Sequence, residues 1–305
     1  MNQVVWIGRA VPGRLAGGQS FARRIFVRNP KTSSMSQFTR WGRPLFAIPW
    51  IIFGIQHYMY AGFVTTLVPA YMPFRSFWVY FTGTAMIAAG ISFILCRQVR
   101  LAASLLGGML LLFVLQLHTV TLTGNPHNPI FWTRALQDIA LAGAAFALAS
   151  EGCLAAPGRS SYILAGKVDM PTAARYLYAL PLIFLGGQHF WQEPFVTGKI
   201  PDWLPLKPFW EYLIGSLIIL AAISILLNRR ATLAATLLGT VLLLLAGLQH
   251  IPLLIRDPRN GMDWTGSMLD LAIAAGALIL APLLRSQVPD RIGDGSLERL
   301  EAHSR

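Results

Sequence analysis

Two stretches of this chain share one pattern, and their relation decides the predicted fold. Residues 53–73 read FGIQHYMYAGFVTTLVPAYMP, and residues 185–205 read LGGQHFWQEPFVTGKIPDWLP. Each contains a glycine, a Gln-His pair, a Phe-Val-Thr triplet and two prolines at the same spacing. Sliding the sequence on itself by 132 positions aligns residues 43–150 with residues 175–282 without a gap, at roughly 40% identity. The sequence therefore predicts an internal repeat of two halves.

The composition places both halves in a membrane. Of the 305 residues, 54% are hydrophobic and only 12% are charged, and the mean hydropathy is +0.53, which is too apolar for an ordinary soluble enzyme. A membrane-spanning helix needs about 20 mostly apolar residues. Eight runs qualify, at residues 45–61, 77–96, 101–122, 135–149, 177–191, 209–227, 233–254 and 268–284.

These runs predict the fold class. None alternates polar and apolar residues as the strands of a membrane barrel do. An even number of helices in each half also makes the two halves enter the membrane in the same direction. We therefore expect an all-α integral membrane protein with eight transmembrane helices, arranged as two parallel four-helix-bundle repeats.

The formal charge of +12 reflects membrane topology. Arginines and lysines cluster before the first helix and in the short second and sixth loops, which contain Arg97, Arg100, Arg229 and Arg230. The positive-inside rule then places both termini in the cytoplasm. Because these residues form no basic patch on a soluble domain, we expect no nucleic-acid partner.

The same patterns divide the chain. Residues 1–40 are predicted to be a basic disordered cytoplasmic arm, in which Met35 is an alternative start to Met1. The first repeat covers residues 41–150, a cytoplasmic linker covers 151–172, the second repeat covers 173–285, and a cytoplasmic tail covers 286–305. The chain has only two cysteines, Cys96 and Cys153, and both are predicted near the cytoplasmic side. We therefore expect neither a disulfide framework nor a cysteine-based metal site.

Six polar residues in otherwise apolar segments are the candidate catalytic groups. The first half contains His57, His118 and Asp138, and the second half repeats them at equivalent positions, as His189, His250 and Asp270. Helix direction places all six at similar depth near the extracytoplasmic surface. An aspartate in a membrane costs about 2.5 to 3.5 kcal/mol at mid-depth, so a histidine partner is expected. A carboxylate that accepts one ring N–H leaves the other nitrogen for a metal, a proton or a ligand oxygen.

Several interpretations of these residues stay open at this point. Each histidine taken singly also fits an interfacial side chain bonded to a backbone carbonyl or to water. A bis-histidine haem b between the first and third helices, or a metal ion with His, His and Asp ligands, fits the spacing as well. The candidate cofactor-binding residues are a glutamine and a tryptophan from each half, Gln56, Trp132, Gln188 and Trp264. The tryptophans also fit an aromatic belt, and Gln56, about 100° around the helix from His57, also fits a contact with a neighbouring helix.

Each half resembles the DoxX family of bacterial four-helix membrane proteins. The resemblance rests on an arginine at the first helix entry, on GIQH and GGQH, on LVPAYMP and KIPDWLP, on RQVRLAA and RRATLAA, and on the histidine that closes the third helix, His118 or His250. It covers nearly the whole chain apart from the tails. One departure is that Gly83 and Gly215 of the second helices are followed by TAM and SLI, where many members carry an acid.

The resemblance implies a location and a function. The location is the bacterial inner membrane, and the relatives include the DoxD-type subunit of thiosulfate:quinone oxidoreductase. We therefore expect a quinone-linked redox module whose His/Asp sites open toward the periplasm, with quinone as cofactor and a soluble or membrane redox subunit as partner. Two alternatives are a proton-coupled transporter of a small solute and a non-catalytic membrane scaffold for redox partners.

Overall fold

A computed structural model describes residues 41–151, 163–164, 168–191 and 205–286. The predicted basic arm with both candidate starts, most of the linker, the outer loop of the second half and the C-terminal tail lie outside the described residues. The expectations for those segments stay predictions.

The described chain is almost entirely helical. The helices are α1 (Gly42–Met59), α2 (Ala61–Leu67), α3 (Arg75–Leu95), α4 (Val99–Gly124), α5 (Pro129–Glu151), α6 (Met170–Trp191), α7 (Lys207–Leu226), α8 (Ala231–Arg256) and α9 (Gly261–Ser286). Within α4, residues Val114–His118 form a π-helical turn. Two short strands, β1 (Ile163–Leu164) and β2 (Val168–Asp169), pair antiparallel before α6, with Ile163 opposite Asp169.

Each predicted apolar run corresponds to one long helix, although three runs extend one or two residues past the helix end and α5, α6 and α9 begin six or seven residues before the predicted runs. Each of these extra segments contains a charged residue, Arg134, Arg175 or Asp263, so hydropathy alone does not detect it. Asparagine caps explain two of the starts. Asn128 Oδ1 accepts the Ile130 N–H at 3.1 Å, and Asn260 Oδ1 accepts the Met262 N–H at 3.0 Å, which satisfies backbone donors that a helix N-terminus leaves free.

Five of the described helices are long and apolar enough to cross a membrane, judged by length and composition: α3, α4, α7, α8 and α9. The chain is therefore a multi-pass helical membrane protein whose apolar helices suit contact with lipid. Burial ranks these helices, because 83% of the apolar window of α9 is inside the protein but only 22% of that of α4 or α8. Helix α9 is thus central, and α4 and α8 lie at the periphery.

The connections between helices recur 132 positions apart. All six non-glycine residues with positive φ in the described chain form matched pairs: Phe74 with Leu206, Cys96 with Asn228, and Gln98 with Arg230. The last two pairs build the tight turns from α3 to α4 and from α7 to α8. A left-handed residue is the usual way to end a helix, so both turns are built in the same way.

The helices pair across the two halves, which corrects the expectation of one bundle per half. Helix α1 packs mainly against α3 and α9, whereas α5 packs against α4, α6 and α9. One group therefore combines α1 and α3 with α8 and α9, and the other combines α4 and α5 with α6 and α7. Each group takes its first two helices from one half and its last two from the other half. Buried Tyr178 of α6 also donates a hydrogen bond across the two groups, to the Ile273 carbonyl of α9 at 2.6 Å.

Glycines and alanines allow these close approaches. A Cβ built on Gly54 of α1 would lie 2.5 Å from the Gly83 carbonyl oxygen of α3, and one on Gly186 of α6 would lie 3.0 Å from that of Gly215 on α7. The glycine shortly before each Gln-His pair therefore makes a surface against which another helix closes.

The alanines after the two aspartates lie in the same interior. In α5 these are Ala142, Ala145 and Ala149, and in α9 they are Ala274, Ala277 and Ala281, all at most 3% exposed. These stripes of small residues therefore lie where helices contact one another.

Cys96 is disulfide-bonded, contrary to the expectation from the cysteine count. The other cysteine of the chain, Cys153, lies outside the described residues. Disulfides persist mainly in oxidising compartments, whereas the charge distribution predicts that the Cys96 end of α3 is cytoplasmic. The disulfide and the charge distribution thus predict opposite orientations for this end of α3.

Candidate functional site

The first half brings one predicted His–Asp pair together. His118 Nε2 of α4 lies 2.9 Å from Asp138 Oδ2 of α5, and their side chains are 17% and 18% exposed. His118 is the last residue of the π-helical turn, a feature that is often found at functional sites. The carboxylate accepts the Nε2–H, so Nδ1 of a neutral ring carries the lone pair.

The second half repeats the pair on α8 and α9. His250 Nε2 lies 2.7 Å from Asp270 Oδ2. The exposure differs from that of the first pair, because the His250 side chain is 10% exposed and that of Asp270 is 45% exposed. We call these two pairs the first dyad (His118 and Asp138) and the second dyad (His250 and Asp270). Both confirm the expected partnership of histidine and aspartate.

Arg134 lies near the aspartates of both dyads, although the sequence patterns did not single it out. This residue lies one helical turn before Asp138 on α5, and α5 packs against α9. Its guanidinium interacts electrostatically with both Asp138 and Asp270 and donates a hydrogen bond to Gln137 Oε1 at 3.2 Å. A charged residue beside an apolar run is a signal that could have found it. The repeat concealed it, because the equivalent residue of the second half is Gly266.

The histidines of the first helices lie in different surroundings from the dyads. His57 Nδ1 donates to the Phe53 carbonyl at 2.7 Å, which is the backbone-bonded alternative that the sequence left open. These contacts therefore do not bring His57 together with His118 and Asp138, contrary to the expectation from the sequence. His189 Nδ1 instead bonds Glu211 Oε2 of α7 at 2.9 Å.

Glu211 is the second residue that sequence reasoning missed. It is only 1% exposed, although a glutamate opening the apolar run of α7 was visible in the sequence. Comparison of the two halves did not single out Glu211, because the equivalent residue of the first half is Val79. The two halves have thus diverged at this position, and only His189 has an acidic partner there.

The two predicted glutamines tie the halves together. Gln56 donates to the Gly261 carbonyl at 3.0 Å and accepts from Thr265 at 3.2 Å. Gln188 accepts from Thr133 at 3.0 Å. Each glutamine therefore joins the first helix of one half to the start of the fourth helix of the other half. These contacts give both glutamines a structural role, as the neighbouring-helix alternative expected for Gln56.

The two predicted tryptophans close loops next to the dyads. Trp132 Nε1 donates to the Pro126 carbonyl, and Trp264 Nε1 donates to the Pro258 carbonyl, both at 2.9 Å. Each indole thus fixes the loop that precedes α5 or α9. These bonds give both rings a structural role, and their part in binding a cofactor stays a prediction.

The described side chains do not gather as metal ligands. Within residues 41–151, 163–164, 168–191 and 205–286 there is no group of three histidine, cysteine, aspartate or glutamate side chains placed to hold a metal ion. The expected His, His and Asp ligand set is not assembled, since His118 and Asp138 pair with each other while His57 bonds the backbone. The haem alternative stays a prediction.

An apolar groove lies between α7 and α8. It has a volume of about 270 Å³ and is lined along α7 from Ile214 to Ser224 and along α8 from Arg230 to Leu242. Its α8 wall ends about two helical turns before His250. Its lining is almost wholly aliphatic, so it suits a hydrocarbon chain, with Arg230 at the end remote from the second dyad.

No protein-family model matches this chain, no curated protein matches its sequence, and no solved structure matches its fold. The resemblance to the DoxX family therefore stays a prediction based on the quoted motifs. What the structure establishes is the class, a multi-pass helical membrane protein with two His–Asp dyads.

Proposed function

We propose that this chain is a quinone-linked redox module of the bacterial inner membrane, with eight transmembrane helices, duplicated halves and both termini in the cytoplasm. The observation that carries the proposal is the pair of His–Asp dyads, with Arg134 near both aspartates, in a bundle of mainly apolar helices. Ionisable side chains at such positions are costly and usually serve ligand binding or proton movement. The dyads would lie near the periplasmic face.

The dyads suit the proton side of quinol chemistry. Each aspartate accepts the Nε2–H of its histidine and so leaves Nδ1 as the basic atom. A quinol hydroxyl placed at Nδ1 can give its proton to the ring, and the aspartate then stabilises the imidazolium. The electrons would pass between the quinone and a partner redox subunit, because none of the dyad side chains is an electron carrier.

The groove between α7 and α8 supports a ligand with an apolar tail. Its aliphatic lining matches an isoprenoid chain, and its α8 wall ends at Leu242, about two helical turns before His250. A quinone would place its tail in such a groove and its head group near the polar cluster.

Binding of a quinone analogue tests the proposal. The full chain in detergent or nanodiscs should bind a fluorescent quinol analogue, and a double variant with His118→Ala and His250→Ala should bind at least about tenfold more weakly, because both proton acceptors are lost. The matched control is His57→Ala, whose histidine bonds a backbone carbonyl. The proposal fails if the wild-type chain does not bind or if the double variant binds as tightly as the control.

One observation favours a second candidate, a proton-coupled transporter. Glu211 is buried and bonded to His189, and such a pair is typical of proton relays in transporters. Proton-coupled uptake of a small solute into proteoliposomes, with loss of uptake in Glu211→Gln and without quinone binding, would replace the redox proposal with this one.

A further inference from the structure

We propose that the quinol-type ligand binds at the second dyad, where His250 Nδ1 accepts a hydrogen bond from a ligand hydroxyl, and that Gly266 and Arg134 make the two dyads differ. This inference rests on the proposed quinone-linked function and adds which half binds, through which atom, and to what chemical group.

The first observation is an unpartnered nitrogen. His250 is 8% exposed, and its Nδ1 is buried with no hydrogen-bond partner among the described residues. Its Nε2 donates to Asp270 at 2.7 Å, which leaves a lone pair on Nδ1. Buried polar atoms are nearly always paired, so an unpaired one in a native protein calls for a ligand, water or ion.

The second observation is the space beside that ring. A Cβ built on Gly266 would have one heavy atom within 4 Å, His250 Cε1 at 3.9 Å. Cε1 is bonded to Nδ1, so the side chain missing at Gly266 leaves space at the edge of the ring that carries the unpartnered nitrogen. The equivalent position in the first half carries Arg134, whose guanidinium interacts with both aspartates. The first dyad therefore has a side chain where the second has an opening.

The third observation is access. The Asp270 side chain is 45% exposed, whereas that of Asp138 is 18% exposed. The apolar groove lies along α7 and α8, which both belong to the second half. The second dyad is thus the more accessible one, and the groove in the same half ends about two helical turns before His250 on α8.

These features define the ligand as a hydroxyl donor with an apolar substituent. The O–H of a hydroquinone or hydroxyquinoline would donate to His250 Nδ1. If the proton moves to the ring, the O–H bond breaks as the N–H bond forms, and Asp270 still accepts the Nε2–H and neutralises the imidazolium. Arg134, which interacts with Asp270, would then keep the cluster from accumulating negative charge.

The test compares two glutamine variants of the full chain in nanodiscs. Glutamine at position 250 can still donate an N–H to Asp270 but lacks the Nδ1 acceptor, so His250→Gln separates the ligand atom from the dyad. The probe is 2-heptyl-4-hydroxyquinoline N-oxide, followed by quenching of its fluorescence. We expect about tenfold weaker binding for His250→Gln and less than about twofold for His118→Gln.

A second pair of variants tests the opening and guards against misfolding. Gly266→Arg copies the first half and should abolish detectable binding by filling the space beside His250. Gly108→Ala is the control, because a Cβ there meets no heavy atom within 4 Å, and it should leave the probe bound. Far-UV circular dichroism and size-exclusion profiles identify variants that keep the fold.

Each outcome decides one of the two claims. If the probe does not bind the wild-type chain, the proposed function and this inference both fail. If the probe binds and His118→Gln weakens it while His250→Gln and Gly266→Arg do not, the quinone function stands and the assignment to the second dyad is overturned.

Discussion

The bond between His189 and Glu211 should be the most sensitive polar contact of the bundle. Glu211 is buried, with a side chain 2% exposed, and its Oε2 lies 2.9 Å from His189 Nδ1. Replacing His189 with alanine leaves a carboxylate without its partner in an apolar interior. Breaking a buried pair from one side typically costs about 3 to 5 kcal/mol. We expect His189→Ala to reduce the free energy of unfolding by an amount in that range.

The first half supplies a matched control. His57 occupies the equivalent position, but its Nδ1 bonds the Phe53 carbonyl, and Val79 stands where Glu211 does. His57→Ala removes one neutral hydrogen bond, for which about 1 kcal/mol is typical. The two alanine variants should therefore differ by at least about 2 kcal/mol, although they change the same residue type at equivalent positions.

A double-mutant cycle isolates the pair itself. Glu211→Val copies the first half and removes the buried carboxylate, so the double variant His189→Ala with Glu211→Val should regain most of the stability lost in His189→Ala. Unfolding is followed by circular dichroism during titration of mild-detergent micelles with dodecyl sulfate. If His189→Ala costs no more than His57→Ala, or if Glu211→Val gives no recovery, the reasoning from the buried pair is refuted.

Packing and topology give three further predictions. Gly143→Ala should destabilise the chain by about 2 kcal/mol or more, because a Cβ there would lie 2.5 Å from the Tyr178 backbone nitrogen, while Gly108→Ala, with nothing within 4 Å, should be neutral or slightly stabilising by thermal denaturation. In a cysteine-free background, cysteines at Gln56 and Thr265 should cross-link on oxidation, whereas cysteines at Gln56 and Thr133 should not; the reverse result would restore one bundle per half. Reporter fusions after α3 and after α4 should place the first in the cytoplasm and the second outside, and the opposite pattern would reverse the orientation inferred from charge.

The sequence was informative about features that lie within single helices or recur in both halves. Apolar runs located the long helices, and the match between halves singled out His118 with Asp138 and His250 with Asp270, which the structure joins. Hydropathy did not locate the first turns of α5, α6 and α9, because each of them contains a charged residue and forms through capping and packing. Comparison of the halves could not find Arg134 and Glu211, because each is present in one half only.

Hydrophobic periodicity, charge and the spacing of the halves determined by themselves that this is a helical membrane protein with histidines and aspartates near one end of the helices. Only the tertiary structure decided which of these residues meet. In a bilayer every apolar helix face has similar partners available, so the choice between neighbours depends on close fit at small residues such as Gly54 and Gly143 and on bonds such as that of Gln56 to Thr265. The contacts of Gly143 with α6 and of Gln56 with α9 join opposite halves, and α5 of the first dyad packs against α9 of the second.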